Sequence, residues 1–474
     1  MNTLSLKLPY SAAGLQDKPY SAINMITQTI GYDLYSSPGI MKVGNSMFNV
    51  SAALSGAIGA APDAIVSVST TVMYVFVGTA IYKYNPTTAA LTSLTVASEA
   101  TVNAIFFQTK VYFIGNTKIG TINISTDAVT NNVHTLTNGS TSNHPLQILR
   151  GNLYIGDKFY VAQVDSAYAF TANVFDLRTD LVISALQSVD SDLLIGAYST
   201  QDGFGSEIFT WNTWSDFFTT EMMIQEAQKI TNFMKVNNAI YFIISTTSNT
   251  PSIYSYSNGY CQKYMDFPSI NLITKGTTFI YPNAITYYDN RCYIGVSGLA
   301  SAGIYPGIYS FGSPLPGGKP ILALEYGVSG SDLGISGGNN WEIHCLEKTG
   351  LGIYSGWANS SSGADYAFGV DTVSGSKNIG VQIRTGIIVA DRQYGKDFDV
   401  LSYYARAGST PVMTYSYLNF DTTRTVTARQ DPVNRLMMTT GTFRSMNEMQ
   451  LVLDMAMTDQ QGFADITGID LLFQ

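Results

Sequence analysis

One unit recurs along this chain, and its spacing restricts the fold more than any other feature. An alternating apolar segment leads into a short polar turn. A strand carrying Tyr and Gly follows, and then another reading Ile-Tyr-x-Tyr or similar. The copies are MYVFVGTAIYKYN (73–85), VYFIGNTKIGTIN (111–123), NLYIGDKFYVAQV (152–164), DLLIGAY with EIFTW, AIYFIIS with SIYSYS, RCYIGVSG with GIYSFG, and WEIHCLE with GIYSGW. Their anchors, Tyr74, Tyr112, Tyr154, Leu194, Tyr241, Tyr293 and Ile343, are 38, 42, 40, 47, 52 and 50 residues apart. Repeats of about 40–50 residues with three or four short strands each are the signature of a β-propeller. Seven units predict about seven blades.

The turns agree with this register. Asn237-Asn238, Asp289-Asn290 and Asn339-Asn340 stand before the second strand of their units, and Gly151-Asn152 and Ser191-Asp192 do so in two more. Asn, Asp and Gly tolerate the positive φ that two-residue hairpin loops require. The segment 215–235 has a helix-like stretch but falls where the repeat needs strands, so strands are expected there.

The expected organisation is all-β. Residues 1–60 form an N-terminal arm whose segment 40–54 closes the last blade, and 61–357 form the propeller. Residues 358–377, rich in Ser, Gly, Ala and Asp, read as a loop-rich connection. Residues 378–474 carry strand candidates at 379–389, 398–407, 411–419, 422–429, 449–457 and 466–473, a pattern for a small antiparallel β-sandwich.

Composition narrows the function classes. Charged residues make up 12% of the chain and aromatics another 12%. Disordered chains show the opposite balance, and a helical bundle would be dominated by Ala, Glu, Lys, Leu and Arg. The net charge is −9 with no basic run, whereas a phosphate grip needs clustered Lys and Arg. The N-terminus lacks the pattern of a secretory signal, and the stretch 51–66 is broken by Gly, Ser, Pro and Asp, so no membrane span is expected.

The residues that carry chemistry are few. Cys261, Cys292 and Cys345 fit no zinc spacing and read as buried thiols. Nucleophilic catalysis needs a His beside a Ser or Cys. His134 and His144 lie in a Thr/Asn/Ser-rich stretch, and His344 neighbours Cys345 on a strand, where adjacent side chains point to opposite faces. Glycoside hydrolysis needs two opposed carboxylates. Asp157, Asp192, Asp289 and Glu342 sit at inconsistent offsets near blade turns and read as turn and surface residues. The loop 201–207 lacks the ligand spacing of a calcium loop. Trp211, Trp214, Trp341 and Trp357 read as blade packing rather than sugar-stacking platforms. No catalytic, cofactor-binding or metal-binding residue is assigned, no cofactor is expected, and enzymatic activity is not.

The N-terminal stretch DKPYSAINMITQTIGYDLYSSPGIMKVG (17–44) carries Asn24-Met25 and, some fifteen residues later, Ser37-Pro38-Gly39-Ile40. This resembles the opening of tail-hub or nozzle proteins of short-tailed bacteriophages, a family also described as packaged-DNA stabilisation proteins. The order of arm, propeller and terminal sandwich resembles that family as well. The resemblance implies a structural virion protein, assembled in the host cytoplasm as a hexameric homo-oligomeric ring. Such a ring would extend the portal-adaptor channel, contact other tail proteins such as fibres or a tail needle, help retain packaged DNA and let it exit. An acidic wall would repel phosphates during that passage. The competing expectation is a propeller lectin or receptor-binding protein that recognises cell-surface glycans. A third, a secreted glycoside hydrolase, lacks both export signal and carboxylate pair.

The charge argument is testable directly. Gel shifts at physiological salt are expected to show no tight DNA binding; nanomolar binding would contradict it.

Overall fold

The structure is a computed structural model. It describes residues 2–7, 26–35, 42–50, 52–140, 143–201, 205–215, 219–224, 227–246, 251–257, 260–267, 279–299, 306–314, 318–328, 340–360, 367–377, 380–389, 396–407, 412–417, 420–427, 429–430, 437–438, 442–446, 448–456 and 464–473. Side chains are described up to residue 373. The motif residues Asn24-Met25 and 37–40 lie outside the described residues. The chain divides into two compact units, 49–304 with 338–372, and 1–48 with 305–337 and 373–474.

The first of these is the expected β-propeller, with seven blades. Blade 1 is Ala64–Ser69, Val72–Val77, Ala80–Tyr84 and Leu91–Ser93. Blade 2 is Asn103–Phe107, Lys110–Ile114, Lys118–Asn123 and Val129–Thr135. Blade 3 is Leu146–Leu149, Asn152–Asp157, Tyr160–Val164 and Phe170–Asp176. Blade 4 is Leu181–Val189, Asp192–Ser199, Ser206–Trp211 and Thr219–Ile224. Blade 5 is Ala227–Val236, Ala239–Thr246, Ser252–Ser257 and Tyr260–Asp266. Each of these five is an antiparallel meander in chain order. Blade 6 contributes the hairpin Ile285–Tyr288 and Arg291–Val296 to this unit. Blade 7 is Asn340–Thr349, Gly352–Ser360 and Ala367–Lys377. Val50 N donates to Val370 O (2.9 Å), so the chain entering the propeller is bonded to the last blade. Within the ambiguous segment 215–235, Thr219–Ile224 is a strand and so is the stretch beginning at Ala227, Ala227–Val236, as the repeat requires.

Turn chemistry sets the register. Asn237 and Asn238 (φ 50° and 64°) and Asp289 and Asn290 (φ 51° and 60°) form two-residue loops, closed by the pairs Val236↔Ala239 and Tyr288↔Arg291. Both central residues of such a loop need positive φ, which Asn and Asp accept with little strain. The seventh anchor is corrected. Ile343 lies on the first strand of blade 7, and the second strand is Gly352–Ser360, with Thr349 opposite Gly352. The Ile-Tyr-x-Gly pattern marks second and third strands alike, so GIYSGW was read one strand too far out. Part of 358–377 also differs from a loop. Ala367–Lys377 is a strand whose Gly369 leaves room for the Trp357 ring.

Second strands are buried on both faces because a blade is covered from both sides. All residues of Val72–Val77 except the first are buried. Fourth strands such as Val129–Thr135 alternate half-buried and exposed residues. Apolar clusters sit between consecutive blades. Leu153 and Ile155 of blade 3 join Tyr112 and Ile119 of blade 2, and Phe233 and Phe242 of blade 5 join Leu194 and Ile208 of blade 4. The short helix Ala52–Ala57 puts Leu54 into the cluster shared by blades 7 and 1. This explains the Tyr-Ile-Gly motif. Two residues after the anchor, Gly156, Gly196, Gly295 and Gly356 face Ile183, Ile230, Ile343 and Pro62 of the following blade, where a Cβ would stand 3.0 Å or less from a side-chain carbon.

The other unit has two sheets. In one, Ile26–Ile30 pairs antiparallel with Gly380–Val389, followed by Glu448–Ala456, Val412–Tyr417 and Phe420–Thr427. The hairpin Gly307–Gly312 and Ile321–Tyr326 joins it through a parallel bridge, Ile30↔Leu324. The other holds Asn2–Lys7, Ala464–Phe473 and Lys396–Ala407, with shorter strands beyond. The expected C-terminal strands therefore form, and strands from residues 1–48 are built into their sheets.

Gly295→Ala places a Cβ 2.5 Å from Ile343 Cγ2 and is expected to destabilise the protein by about 1–3 kcal/mol. Gly59→Ala, with no atom within 4 Å of the new Cβ, is the control and is expected to be near neutral. Urea midpoints of the two variants check this; equal midpoints would refute the packing account.

Candidate functional site: the axial cavity and its polar mouth

The first strands of the blades face the propeller axis, and so do the segments leading into them. They enclose a cavity of about 210 Å³ lined from all seven blades. That is below the roughly 300–1,000 Å³ of typical small-molecule pockets. Its polar lining comes from Asn103, Asn143, Ser184, Asn232, Asn283 and Glu347.

Most of these groups tie one blade to the next. Asn103 Nδ2 donates to His144 O (2.9 Å), Ser184 Oγ to Ile230 O (2.6 Å), and Asn232 Nδ2 to Pro282 O (2.9 Å). Asn283 reaches further. From blade 6 its Nδ2 donates to Asp63 O (3.0 Å) and Val102 O (2.9 Å), at the entries to blades 1 and 2. Its own carbonyl accepts from Leu346 N of blade 7 (2.9 Å). One asparagine therefore spans the axial opening at this end.

Glu347 is the carboxyl of the cavity. Its Oε1 accepts from Ser67 N (3.3 Å). Burial pushes the carboxyl up to about 8, against a smaller downward pull from the Ser67 amide and Lys348. Its remaining accessible surface is consistent with a position on the cavity wall. A neutral acid at pH 7 donates a hydrogen bond rather than presenting a charge.

The structure brings together three residues that the sequence left apart. Glu342 Oε2 accepts from Tyr281 OH (2.9 Å) and lies 3.2 Å from His344 Nε2. The Tyr281 and His344 rings stack at 4.3 Å. At the entry to blade 1, the Asp63 carboxylate accepts from Gly78 N (2.6 Å) and the Asp63 amide donates to Phe76 O (2.8 Å). The Asp63 carboxyl is raised by burial, with the Gly78 amide and the His344 charge acting the other way. A carboxylate-held imidazole can hold and relay a proton. Its neighbour Cys345 points away, donating to Pro62 O (3.4 Å), and burial pushes its thiol well up. Cys292 is likewise pushed up to about 12 by burial. Neither forms a thiolate at neutral pH.

The other sequence candidates have structural surroundings. His144 is fully buried, with Nδ1 2.7 Å from Gly156 O and Nε2 2.9 Å from Asn116 O. His134 stacks on Phe170 at 4.5 Å. Asp157, expected at the surface, is fully buried. It accepts from the amides of Thr137, Asn138 and Gly139 at 2.8–2.9 Å, fastening the loop between blades 2 and 3. Glu99 does the same for blade 2 through Thr117 and Lys118. Asp289 pairs with Arg291 (3.1 Å), and Asp192 accepts from Ser191 Oγ (3.2 Å). Of the loop 201–207, residues 202–204 lie outside the described residues, and Glu207 is paired with Arg178 (2.5 Å). Trp211 and Trp357 are core, and Trp341 packs on Trp357 at 5.3 Å. Trp214 differs, being 80% exposed.

No family model matches the chain, and no curated protein does. Solved structures do resemble it at low identity. The N-terminal domain of Nup159 aligns at TM-score 0.43 and 10% identity, over 76% of this chain and 99% of that one. A streptogramin B lyase structure aligns at 0.46 and 12%, over 69% and 97%. The extracellular domain of the putative hybrid two-component system BT4673 from B. thetaiotaomicron aligns at 0.46 and 10%, over 84% and 52%.

Glu347 makes stability depend on pH. Its folded value lies above its ordinary 4.5, so the folded state keeps a proton that the unfolded chain loses. Its contribution is fully present below pH 4.5, falls as pH rises, and is lost above about 8. Glu347→Gln is expected to remove this part of the slope. Urea midpoints at pH 5, 6.5 and 8.5 in both proteins measure it; parallel profiles would refute it.

Proposed function

We propose that this chain is a structural subunit of a short-tailed bacteriophage tail, of the nozzle or tail-hub class. It assembles as a hexameric ring next to the portal adaptor and acts in the virion to retain packaged DNA until ejection. The reading starts from the resemblance at 17–44 and the order of propeller and C-terminal sheets. The observation that carries it is a pair of ladders between segments far apart in the sequence. Asn2–Lys7 runs antiparallel to the last strand, from Asn2↔Phe473 to Lys7↔Gly468, and Ile26–Ile30 is laddered to Gly380–Val389. A wall that holds a pressurised column has to resist unravelling, and antiparallel ladders between distant segments supply that resistance.

The axial cavity bears on where DNA would run. A space of about 210 Å³ crossed by Asn283 passes no duplex. The conduit in this reading lies at the centre of the ring, between subunits, and the net charge of −9 per subunit favours a wall that does not grip phosphate.

Native mass spectrometry of the chain, alone and with a portal-adaptor ring, tests the proposal. Six copies per complex, or adaptor-templated rings visible by cryo-electron microscopy, are the expected result. A stable monomer with no affinity for adaptor rings would overturn it.

A further inference from the structure

Trp214 is held out into solvent by a loop built to do so. It lies between the third and fourth strands of blade 4, in Asn212–Ser215. Asn212 Oδ1 accepts from Trp214 N (2.9 Å), Ser215 N (2.9 Å) and Ser215 Oγ (3.0 Å). The buried Trp211 anchors the loop from below, its Nε1 donating to Ser215 O (2.8 Å) while its ring stacks on Phe175 at 4.6 Å. Thr213 takes φ 65°, a conformation that a β-branched residue rarely adopts. Strain of this kind persists where the surroundings impose it, and it collects at functional positions.

The indole is also backed on one side. The Arg150 guanidinium, on the first hairpin loop of blade 3, sits 4.4 Å from the ring centroid. The cation fixes the ring plane and leaves the opposite face open. Water is a poor partner for that face, so exposing it at 80% carries a hydrophobic cost with no gain in packing.

We propose that Trp214 is a stacking platform for one neutral sugar ring on the indole face opposite Arg150. A hexopyranose presents an apolar C–H face that matches one open indole face and keeps its hydroxyls at the edge, in water. Three observations favour this ligand over a macromolecular surface. The other exposed large hydrophobics described in the propeller after blade 3, Tyr260, Tyr287 and Leu351, stand on blades 5, 6 and 7, one each. A protein interface core needs a contiguous, closely packed apolar patch rather than single side chains on separate blades. The chain's net charge of −9 disfavours a polyanion stacking its bases there. Trp211 and Trp357, read from sequence as blade packing, are closed to any ligand by burial.

The inference is independent of the tail assignment and is tested separately. The full chain is titrated with neutral oligosaccharides of glucose, mannose, galactose and N-acetylglucosamine, while acrylamide quenching of tryptophan fluorescence is recorded. Trp211 and Trp357 are buried and Trp341 is half-buried, so the most readily quenched component is the one that Trp214→Ala removes. At least one oligosaccharide is expected to shield it, with little change in high salt. Trp214→Ala should lose about tenfold or more in affinity, Trp214→Tyr should recover part of it, and Tyr260→Ala should leave it unchanged. Saturation-transfer NMR on the same ligand checks direct contact. Shielding by no neutral sugar at millimolar concentration overturns the proposal. So does shielding by oligothymidylate instead, or shielding that grows with protein concentration alone, which would assign the indole to a second copy of the chain.

Discussion

The close approach of one blade to the second strand of the blade before it, seen at four glycines, governs most of this propeller. Where Ile183, Ile230, Ile343 and Pro62 press on Gly156, Gly196, Gly295 and Gly356, only one side chain separates the two backbones. That contact buries both faces of the second strands and sets the level at which the Tyr, Ile and Phe side chains interleave. The low charge content follows, because interior strand positions in successive blades have no solvent in which to place a charge.

The same closeness dictates the use of polar groups. Side chains that face the axis cannot all reach water, so Asn103, Ser184 and Asn232 donate to carbonyls of the next blade, and Asn283 crosses to blades 1 and 2. Carboxylates play the corresponding part on the connections. Buried Asp157 and half-buried Glu99 collect amide N–H groups where a connection meets a hairpin turn, which is how a short loop between blades stays satisfied. Glu347 is the exception, a carboxyl facing a small cavity with a single amide donor, and its proton affinity rises accordingly.

Repetition made the blades legible before any coordinates. Alternation, two-residue turns and the Tyr-Ile-Gly motif each report a local constraint, and they recur in phase. Legibility failed where one local pattern serves two positions. Ile343 stands a strand further in than its motif suggests because Ile-Tyr-x-Gly fits two strands of a blade, and 367–377 reads as loop because Asp371, Ser374, Gly375 and Ser376 dilute the apolar signal of Phe368, Val370 and Val373. The Tyr281–Glu342–His344 cluster was illegible for another reason. Tyr281 lies 61 residues from Glu342, and only the packing of blade 7 on blade 6 brings them together. Asp157 and Asp289 have the same side chain beside similar turns, yet one is buried under three amides and the other exposed. The difference lies in the preceding interblade loop, which short-range patterns do not report. Trp214 is separated from Trp211 by the Asn212 turn alone, and that turn reverses the ring from core to solvent.

The ladder between Asn2–Lys7 and the last strand has a consequence for how the chain is made. The first strand leaves the ribosome early and finds its partner only after residues 468–473 have emerged. Blades 1 to 5, by contrast, are closed sets of neighbours in chain order and can condense one after another during synthesis. Asn2–Lys7 therefore waits as an unpaired edge while the residues between it and 468–473 are made. Its short length, six residues, limits the time-dependent risk that such an edge brings of pairing with another nascent chain.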